Sequence, residues 1–309
     1  MRVAEVKELP PLERFIYWIQ ERYQLGLRRA AGKPKPWTDD EVLQRYFFTW
    51  PYREMDKTTV WFRENVREPL RNDPRVLMAT VIFRWFNLIA TGEVLRNVAE
   101  PFGLLTDWST KTALRILRPV RDAGSKVFTG AFMINSPGGE PKLEAICRRI
   151  TNVWDAREMI LEKFSRGRFE GKLTLEGSHD MLTEFDGLGG FMAYEIVCDL
   201  RYTYLLENAP DKLTWCHVGP GARRGLYRVL GLDFPKGNNA GGCPKLLNDK
   251  EEMREMQKLL EQVRKRLPEM PLFELREVEH ALCEADKYSR ALEGDGRLKR
   301  TYERASHAD

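Results

Sequence analysis

The chain has 309 residues, of which 50 are Lys or Arg and 46 are Asp or Glu, giving a formal net charge of +4. This length can bury a hydrophobic core in one large or two modest domains, and the mild basicity permits nucleic acid as a partner without requiring it. The longest apolar stretch, residues 76–90, is broken by Arg84 and is too short to span a bilayer. We therefore expect a globular protein without a membrane partner.

The N-terminus and the cysteines indicate the compartment. No signal-peptide pattern opens the chain, and the five Cys residues have no paired spacing. Such cysteines are typical of reduced thiols, and neither disulfides nor a structural zinc site are expected. The predicted location is the cytoplasm, which is the host cytoplasm if a phage encodes the protein.

Helical periodicity dominates the chain and predicts a mainly α fold with little strand. In chain order, helices are predicted over residues 12–29, 37–41, 56–67, 73–91, 108–118, 143–164, on both sides of a turn within 179–201, and over 250–266 and 275–292. Only residues 125–135 are predicted to be extended. A single helical unit over 1–309 is expected, with two lobes of about 1–140 and 141–309 as the alternative.

Residues 185–194 have the pattern of the turn in a helix-hairpin-helix module, flanked by apolar positions on both sides. Gly187, Gly189 and Gly190 permit a tight turn with positive φ, and Leu188 continues the apolar pattern. The first N–H groups of the following helix lack intrahelical partners and can bind phosphate. These four residues are therefore predicted to contact DNA; the alternative is a plain corner between two helices.

A second glycine-rich segment precedes an apolar helix. We predict a loop whose N–H groups and cations bind phosphate or pyrophosphate, formed by Gly219, Gly221, Arg223 and Arg224. A structural turn with two solvated arginines explains these residues equally well.

The segment just upstream bears on glycosidic-bond hydrolysis. Helix-hairpin-helix glycosylases usually carry a catalytic Asp two residues before a His, but Trp215 stands at that position before His217. Hydrolysis is therefore disfavoured, although the upstream Asp211 keeps it open. Cys216, in the same segment, is a candidate nucleophile on its position alone.

Residues 52–57 place charges of both signs close together. On a helix, Arg53 would share a face with Asp56 and Lys57, and Glu54 adds a second carboxylate. A carboxylate between two cations suits base catalysis or amine binding. A surface ion-pair network is the alternative.

A C-terminal segment holds a second set of candidates. Helical spacing puts Glu279, Cys283 and Lys287 on one face and His280 with Glu284 on another, and Asp286 lies nearby in the sequence. Two potential ligands four residues apart do not make a metal site, so no metal is predicted. The alternative is a solvated helix near the C-terminus.

Two absences limit the enzyme classes. The chain contains neither a Gly-x-x-x-x-Gly-Lys-Ser/Thr motif nor a Gly-x-Gly-x-x-Gly motif that opens a strand–helix unit. A Walker-type kinase and a dinucleotide-binding fold are therefore not expected.

In five segments the sequence resembles a phage family of thymine-hypermodification proteins, the α-glutamyl/putrescinyl thymine pyrophosphorylases or amino acid:DNA transferases. The matching segments are residues 32–39, 53–57, 185–202, 219–226 and 282–288. The same helical module is found attached to 5-hydroxymethyluracil DNA kinases. One departure is Trp50, where the family tends to carry Asn.

The resemblance implies a fold similar to helix-hairpin-helix DNA glycosylases and an amine transfer on DNA. A kinase activates 5-hydroxymethyluracil as a pyrophosphate ester, and the transferase replaces pyrophosphate with the amine of an amino acid or a polyamine. Asp56 or Glu54 would then take the amine proton, and Arg53 or Lys57 would hold a donor carboxylate. Glu284, Asp286 and Lys287 form a second candidate set, and Cys216 would assist by adding to the pyrimidine ring.

This hypothesis predicts double-stranded DNA, an amine donor and a DNA kinase as partners. No cofactor is expected, although a divalent metal bound with pyrophosphate is left open. Three rival interpretations are a non-catalytic module that recruits the kinase, a helix-hairpin-helix glycosylase, and an all-α protein without a role on DNA.

Overall fold

The computed structural model describes residues 1–99, 101–130, 139–234, 243–295 and 301–302. Within these ranges the fold is mainly helical, as predicted, and contains no sheet; the one β-bridge pairs Tyr46 with Thr301. The helices of the described ranges are α1 Val3–Lys7, α2 Pro11–Ala30, α3 Glu41–Arg45, α4 Lys57–Phe62, α5 Val76–Phe86, α6 Ile89–Arg96, α7 Thr110–Asp122, α8 Lys142–Asp155, α9 Arg157–Phe169, α10 Leu175–Thr183, α11 Gly190–Leu200, α12 Pro220–Val229, α13 Asp249–Arg266 and α14 Leu275–Glu293.

The chain forms two compact units, one of residues Met1–Asp56 with Lys212–Asp309 and one of Lys57–Asp211. These bounds differ from the lobes of 1–140 and 141–309 considered from the sequence, because the N-terminal helices pack with the C-terminal ones. The expected extended segment 125–135 lies partly outside the described residues, and its described part, 125–130, has no strand.

Helix α14 is the centre of the first unit. It packs against α12, α13, α2 and α3, and its apolar side chains Val278, Leu282 and Tyr288 are fully buried. Glu284 and Asp286 are also buried. The interpretation of this segment as a solvated C-terminal helix is therefore wrong.

Two glycines let α12 approach α14 closely. A Cβ at Gly225 would lie 2.2 Å from the carbonyl oxygen of Leu282, and a Cβ at Gly221 would lie 2.5 Å from Sγ of Cys283. Contacts this short leave no room for any side chain, so glycine sets the distance between the two helices.

Helix α5 is the core of the second unit, where every one of its residues is buried. Its Arg84 donates to Asp199 of α11 at 2.9 Å, and Arg67 donates to the same carboxylate at 3.1 Å. Burying these charges is tolerable because they are paired and hydrogen-bonded. The pairing fixes α11, which carries the predicted DNA hairpin at its start.

Helices α10 and α11 form the two arms of the predicted hairpin, joined by residues 184–189. Gly187 adopts φ +92° at the turn, as its glycine suggested, and Leu188 is fully buried. A Cβ at Gly187 would lie 2.9 Å from the Arg149 side chain of α8. The helix–turn–helix geometry follows the sequence, while the likeness to glycosylases stays a prediction. None of the described helices is long and apolar enough to cross a membrane.

Candidate functional site

Two segments far apart in the sequence meet in the first unit. Residues 49–56 lie against the α14 face that carries His280 and Glu284. The Thr49 N–H donates to Oε2 of Glu284 at 3.2 Å, and the Thr49 hydroxyl lies 3.1 Å from Nε2 of His280. The two candidate sets that the sequence treated separately, around Asp56 and around Glu284, therefore belong to one site.

Residues 53–56 do not have the conformation that was assumed for them. Arg53–Met55 form a single 3-10 turn, and Asp56 follows with φ −69° and ψ 134°, which is extended. The expected helical face shared by Arg53, Asp56 and Lys57 is therefore absent. Lys57 is exposed and begins α4 in the second unit.

His280 connects the two segments of the site. Its Nε2 lies 3.1 Å from the carbonyl oxygen of Trp50 and 3.8 Å from Oδ2 of Asp56. A carbonyl oxygen only accepts, so this contact is a hydrogen bond in the tautomer whose Nε2 carries the proton, and the Thr49 hydroxyl is then a second acceptor. Burial lowers the pKa of His280 to about 4, so the ring is neutral near pH 7. His280 thus positions its neighbours without adding charge.

Asp56 has the properties of a general base for neutral pH. Burial raises the pKa of Asp56 to about 7, against the opposing effects of the Trp50 N–H and of Arg53. The Trp50 N–H donates to Oδ1 of Asp56 at 3.2 Å. A carboxylate that titrates near the working pH can take a proton and release it again.

Glu279 is a second carboxylate of this kind, and the sequence reasoning did not select it. Burial raises its pKa to about 7, while Arg53 and a hydrogen bond from the Gly219 N–H favour the ionised form. The only sequence signal was its helical spacing with Cys283 and Lys287. Burial of the thiol raises the pKa of Cys283 to about 12, so it remains protonated at neutral pH.

Trp50 contributes to the site through its backbone, whose N–H and carbonyl bind Asp56 and His280. The indole ring packs instead on α2, where a Cβ at Gly26 would lie 2.3 Å from the ring. The Arg22 guanidinium lies 5.2 Å from the ring centroid. The contacts of Trp50 with Asp56 and His280 therefore do not depend on its side chain.

The other predicted carboxylates are held in ion pairs. Glu54 lies 3.4 Å from the guanidinium of Arg276. Burial opposes ionisation of Glu284, but Lys287, followed by His280, lowers its pKa overall. Lys287 pairs with Glu284 and its side chain is 40% exposed. Glu284 is therefore an ionised anchor for residue 49 rather than a base.

Asp286 is paired with arginines rather than with the residues around Asp56 and His280. Its carboxylate is fully buried and is paired with Arg224 and Arg228, each at 3.0 Å, and with Arg290 at 3.3 Å. It fixes α12 to α14, a structural role.

The predicted phosphate loop at residues 219–224 is the start of a helix. Gly219 is the N-cap of α12 and Pro220 is its first residue, so Gly221, Arg223 and Arg224 lie on the first two turns. Arg223 donates to Glu252 at 3.0 Å and Arg224 to Asp286 at 3.0 Å. A helix replaces the expected loop because the fixed φ of proline suits the first position of a helix.

The environments of Cys216 and Asp211 indicate structural rather than catalytic roles. Cys216 is only 2% exposed, which does not suit a nucleophile that must reach a base. Asp211 accepts the N–H groups of Leu175 and Glu176 at 2.8 and 3.0 Å. It thereby caps the start of α10, and this gives no support to a glycosylase.

The predicted DNA contacts lie in the second unit. Gly189 and Gly190 form the start of α11, and no atom lies within 4 Å of a Cβ placed at Gly189. The backbone is therefore open at this point, as a phosphate contact requires. Leu188 instead anchors the turn in the core. Among the described residues, no group of three His, Cys, Asp or Glu is arranged to hold a metal ion.

Comparison with known proteins identifies relatives of the chain. The family model described as "5-hmdU DNA kinase, helical domain" matches residues 10–297. A 5-hmdU DNA kinase of Bacillus phage SP10 is 28% identical over 231 residues, which cover 70% of this chain and 36% of the kinase. The chain thus spans about a third of that relative. No solved structure gives a significant match.

Proposed function

The chain belongs to the family of 5-hmdU DNA kinase helical domains, and we propose that it takes part in thymine hypermodification of phage DNA. It transfers the amine of an amino acid or a polyamine onto the activated methylene of 5-hydroxymethyluracil and releases pyrophosphate. The observation that carries this proposal is the pair of carboxylates, Asp56 and Glu279, with pKa values of about 7 in one site with His280.

The reaction requires a proton acceptor. The amine lone pair attacks the exocyclic methylene carbon, a C–N bond forms, and the C–O bond to pyrophosphate breaks with its electron pair. A donor ammonium must lose a proton before the attack, because an ammonium has no lone pair, and the nitrogen loses a second proton once the C–N bond has formed. Asp56 is the proposed acceptor, since Glu54 is paired with Arg276. Glu279 is the second acidic group of the proposed site.

A donor carboxylate requires a cation nearby. Arg53 favours the ionised forms of both Asp56 and Glu279, so it lies within electrostatic reach of each. Lys287 is the other candidate, since its ammonium is partly exposed on the same α14 face. Arg53 and Lys287 are therefore preferred to Lys57 as the groups that hold an amino acid carboxylate.

The leaving pyrophosphate is assigned to the N-terminus of α12. The N-terminal turn of a helix offers N–H groups and a positive dipole end to an anion. Gly219 and Gly221 add no side chain of their own at this end, where the Gly219 N–H also binds the Glu279 carboxylate, and Arg223 and Arg224 add positive charge. Each guanidinium has five N–H donors, so its carboxylate partner does not exhaust its capacity for hydrogen bonds.

DNA is assigned to the hairpin between α10 and α11. The open backbone at Gly189 suits a phosphate, and Gly187 shapes the turn. Such a contact to the DNA backbone positions the protein on the duplex and carries no sequence preference of its own.

A second candidate function is a non-catalytic module that binds DNA and works with a kinase. It is favoured by the relative, which is described as a 5-hmdU DNA kinase and of which this chain spans 36%. This function requires the hairpin but not Asp56 or Glu279.

The deciding experiment is mass spectrometry of nucleosides from DNA that bears pyrophosphorylated 5-hydroxymethyluracil, incubated with the protein and a mixture of amino acids and polyamines. An amine-substituted thymidine is expected, and its mass names the donor. Asp56→Asn should strongly reduce the rate at which the product forms, whereas Asp39→Asn, at an exposed position of the same unit, should not. DNA binding without any product would favour the recruitment function.

A further inference from the structure

Helix α7 of the second unit carries an excess of positive charge. It contains Lys111, Arg115, Arg118 and Arg121 against the single acid Asp122. Helix α13, which is also rich in cations, has six cations against five acids. The positive charge of α7 is therefore not balanced by acids of the same helix, whereas in α13 cations and acids are nearly equal in number.

Three of these cations share one exposed face. Lys111, Arg115 and Arg118 are spaced at i, i+4 and i+7, and all three are exposed. The opposite face buries Ala113 and Leu117. Within the part of the chain that the structure describes, Lys111 and Arg115 have no carboxylate partner. Their charge is thus directed to solvent.

The charged face continues toward the hairpin through α8. Glu144 of α8 lies 3.0 Å from Arg118 of α7, which holds the two helices side by side. One turn further along α8, Arg148 is exposed, pairs with Glu140 at 2.8 Å and lies 4.0 Å from Asp186 in the hairpin turn. Arg149 packs beneath Gly187. Cations therefore extend from the hairpin to α7 within a single unit.

We propose that this α7 face, defined by Lys111, Arg115 and Arg118, is a second DNA-binding surface, which binds the phosphate backbone of duplex DNA beyond the segment held by the hairpin. The proposal rests on the DNA role of the proposed function, and it adds a surface to the one at residues 187–190. Charge complementarity and continuity with the hairpin carry it.

The dimensions suit a duplex. Lys111 and Arg118 are separated by about 10 Å along α7 at roughly 1.5 Å per residue. Duplex DNA carries one negative charge per about 1.7 Å of axis, so several phosphates fall within that length. The face is expected to neutralise about two or three phosphates, without sequence preference.

Salt-dependent binding of unmodified duplex DNA tests the proposal. Neutralising the face in Lys111→Gln/Arg115→Gln/Arg118→Gln should weaken binding and reduce the slope of log Kobs against log salt by about 0.9 for each phosphate that is no longer neutralised. The double variant Lys111→Gln/Arg115→Gln leaves the Arg118–Glu144 pair intact, so it should reproduce most of the effect in a folded protein.

The matched control removes three exposed cations from α13 in Lys250→Gln/Arg254→Gln/Lys258→Gln, and it should leave the slope unchanged. An unchanged slope in both α7 variants, or an equal reduction in the α13 control, would overturn the proposal. Amine incorporation separates it from the proposed function: at saturating DNA, the α7 variants should retain full turnover. If the wild type forms no product but the α7 variants reduce the salt slope, the transferase proposal is wrong and the second DNA-binding surface is supported.

Discussion

The Nε2 atom of His280 lies 3.8 Å from Oδ2 of Asp56, and burial favours the neutral form of both groups. Burial raises the pKa of Asp56 to about 7 and lowers that of His280 to about 4. Between pH 4 and pH 7 the pair therefore consists of a neutral ring beside a protonated carboxyl. Above pH 7 the carboxylate forms, and the site acquires its proton acceptor.

Amine incorporation should accordingly depend on pH through Asp56. As the pH rises through about 7, the carboxylate fraction increases, so the rate should rise and then level off. A rate profile between pH 5.5 and 8.5 at saturating DNA and donor measures this. Asp56→Asn should lose on the order of 10²- to 10⁴-fold in rate, the usual contribution of a general base. A wild-type profile that is flat through pH 7 would exclude Asp56 as that base.

Glu279→Gln should change the pH dependence of stability. The pKa of Glu279 in the folded protein, about 7, lies above its ordinary value of 4.5. The folded state therefore retains a proton that the unfolded chain releases, and wild-type stability contributed by this group is present below pH 4.5 and lost by about pH 7. The variant lacks this loss, so its free energy of unfolding relative to wild type should increase across that window, by less than about 1.4 kcal/mol per pH unit.

Urea unfolding of both proteins at pH 4.5, 6 and 7.5 checks the difference. Taking the difference removes the contribution of His280, whose lowered pKa acts in the opposite direction. A difference that does not change with pH would show that Glu279 titrates normally.

Gly225→Ala should destabilise the first unit. Alanine favours a helix interior by about 1 kcal/mol over glycine, but its Cβ would lie 2.2 Å from the Leu282 carbonyl oxygen. Relieving this contact requires α12 and α14 to move apart. The free energy of unfolding is therefore expected to fall by about 1–3 kcal/mol. Thermal unfolding measures it. Gly130→Ala, where no atom lies within 4 Å, should have little effect, and equal losses at both positions would contradict the packing argument.

Gly187→Ala should weaken DNA binding through the hairpin. Gly187 combines φ +92° with an Arg149 contact at 2.9 Å, so a side chain would distort the turn. Gly171→Ala is the matched control, because Gly171 has φ +65° but no atom within 4 Å. Both substitutions place a side chain at positive φ, and only Gly187→Ala should lower the affinity for duplex DNA. Equal affinities of the two variants for duplex DNA would show that the hairpin does not contact DNA.

The sequence by itself determined the local features of this protein. Helical periodicity predicted α14 and the two arms of the hairpin, and the glycine at 187 predicted a turn with positive φ. These predictions hold because they depend on neighbouring residues and on the allowed φ of glycine. The same local reasoning failed at Arg53–Met55 and at Pro220, where a 3-10 turn and a helix start replaced the expected helix and loop.

Only the tertiary structure decided the composition of the site. Thr49 and His280 are 231 residues apart in the sequence, and no periodicity predicts that they touch. The pKa values of Asp56 and Glu279 likewise depend on burial, which is a property of packing rather than of sequence. The distinction between a titrating carboxylate and an ion-paired anchor such as Glu284 therefore arose from the fold.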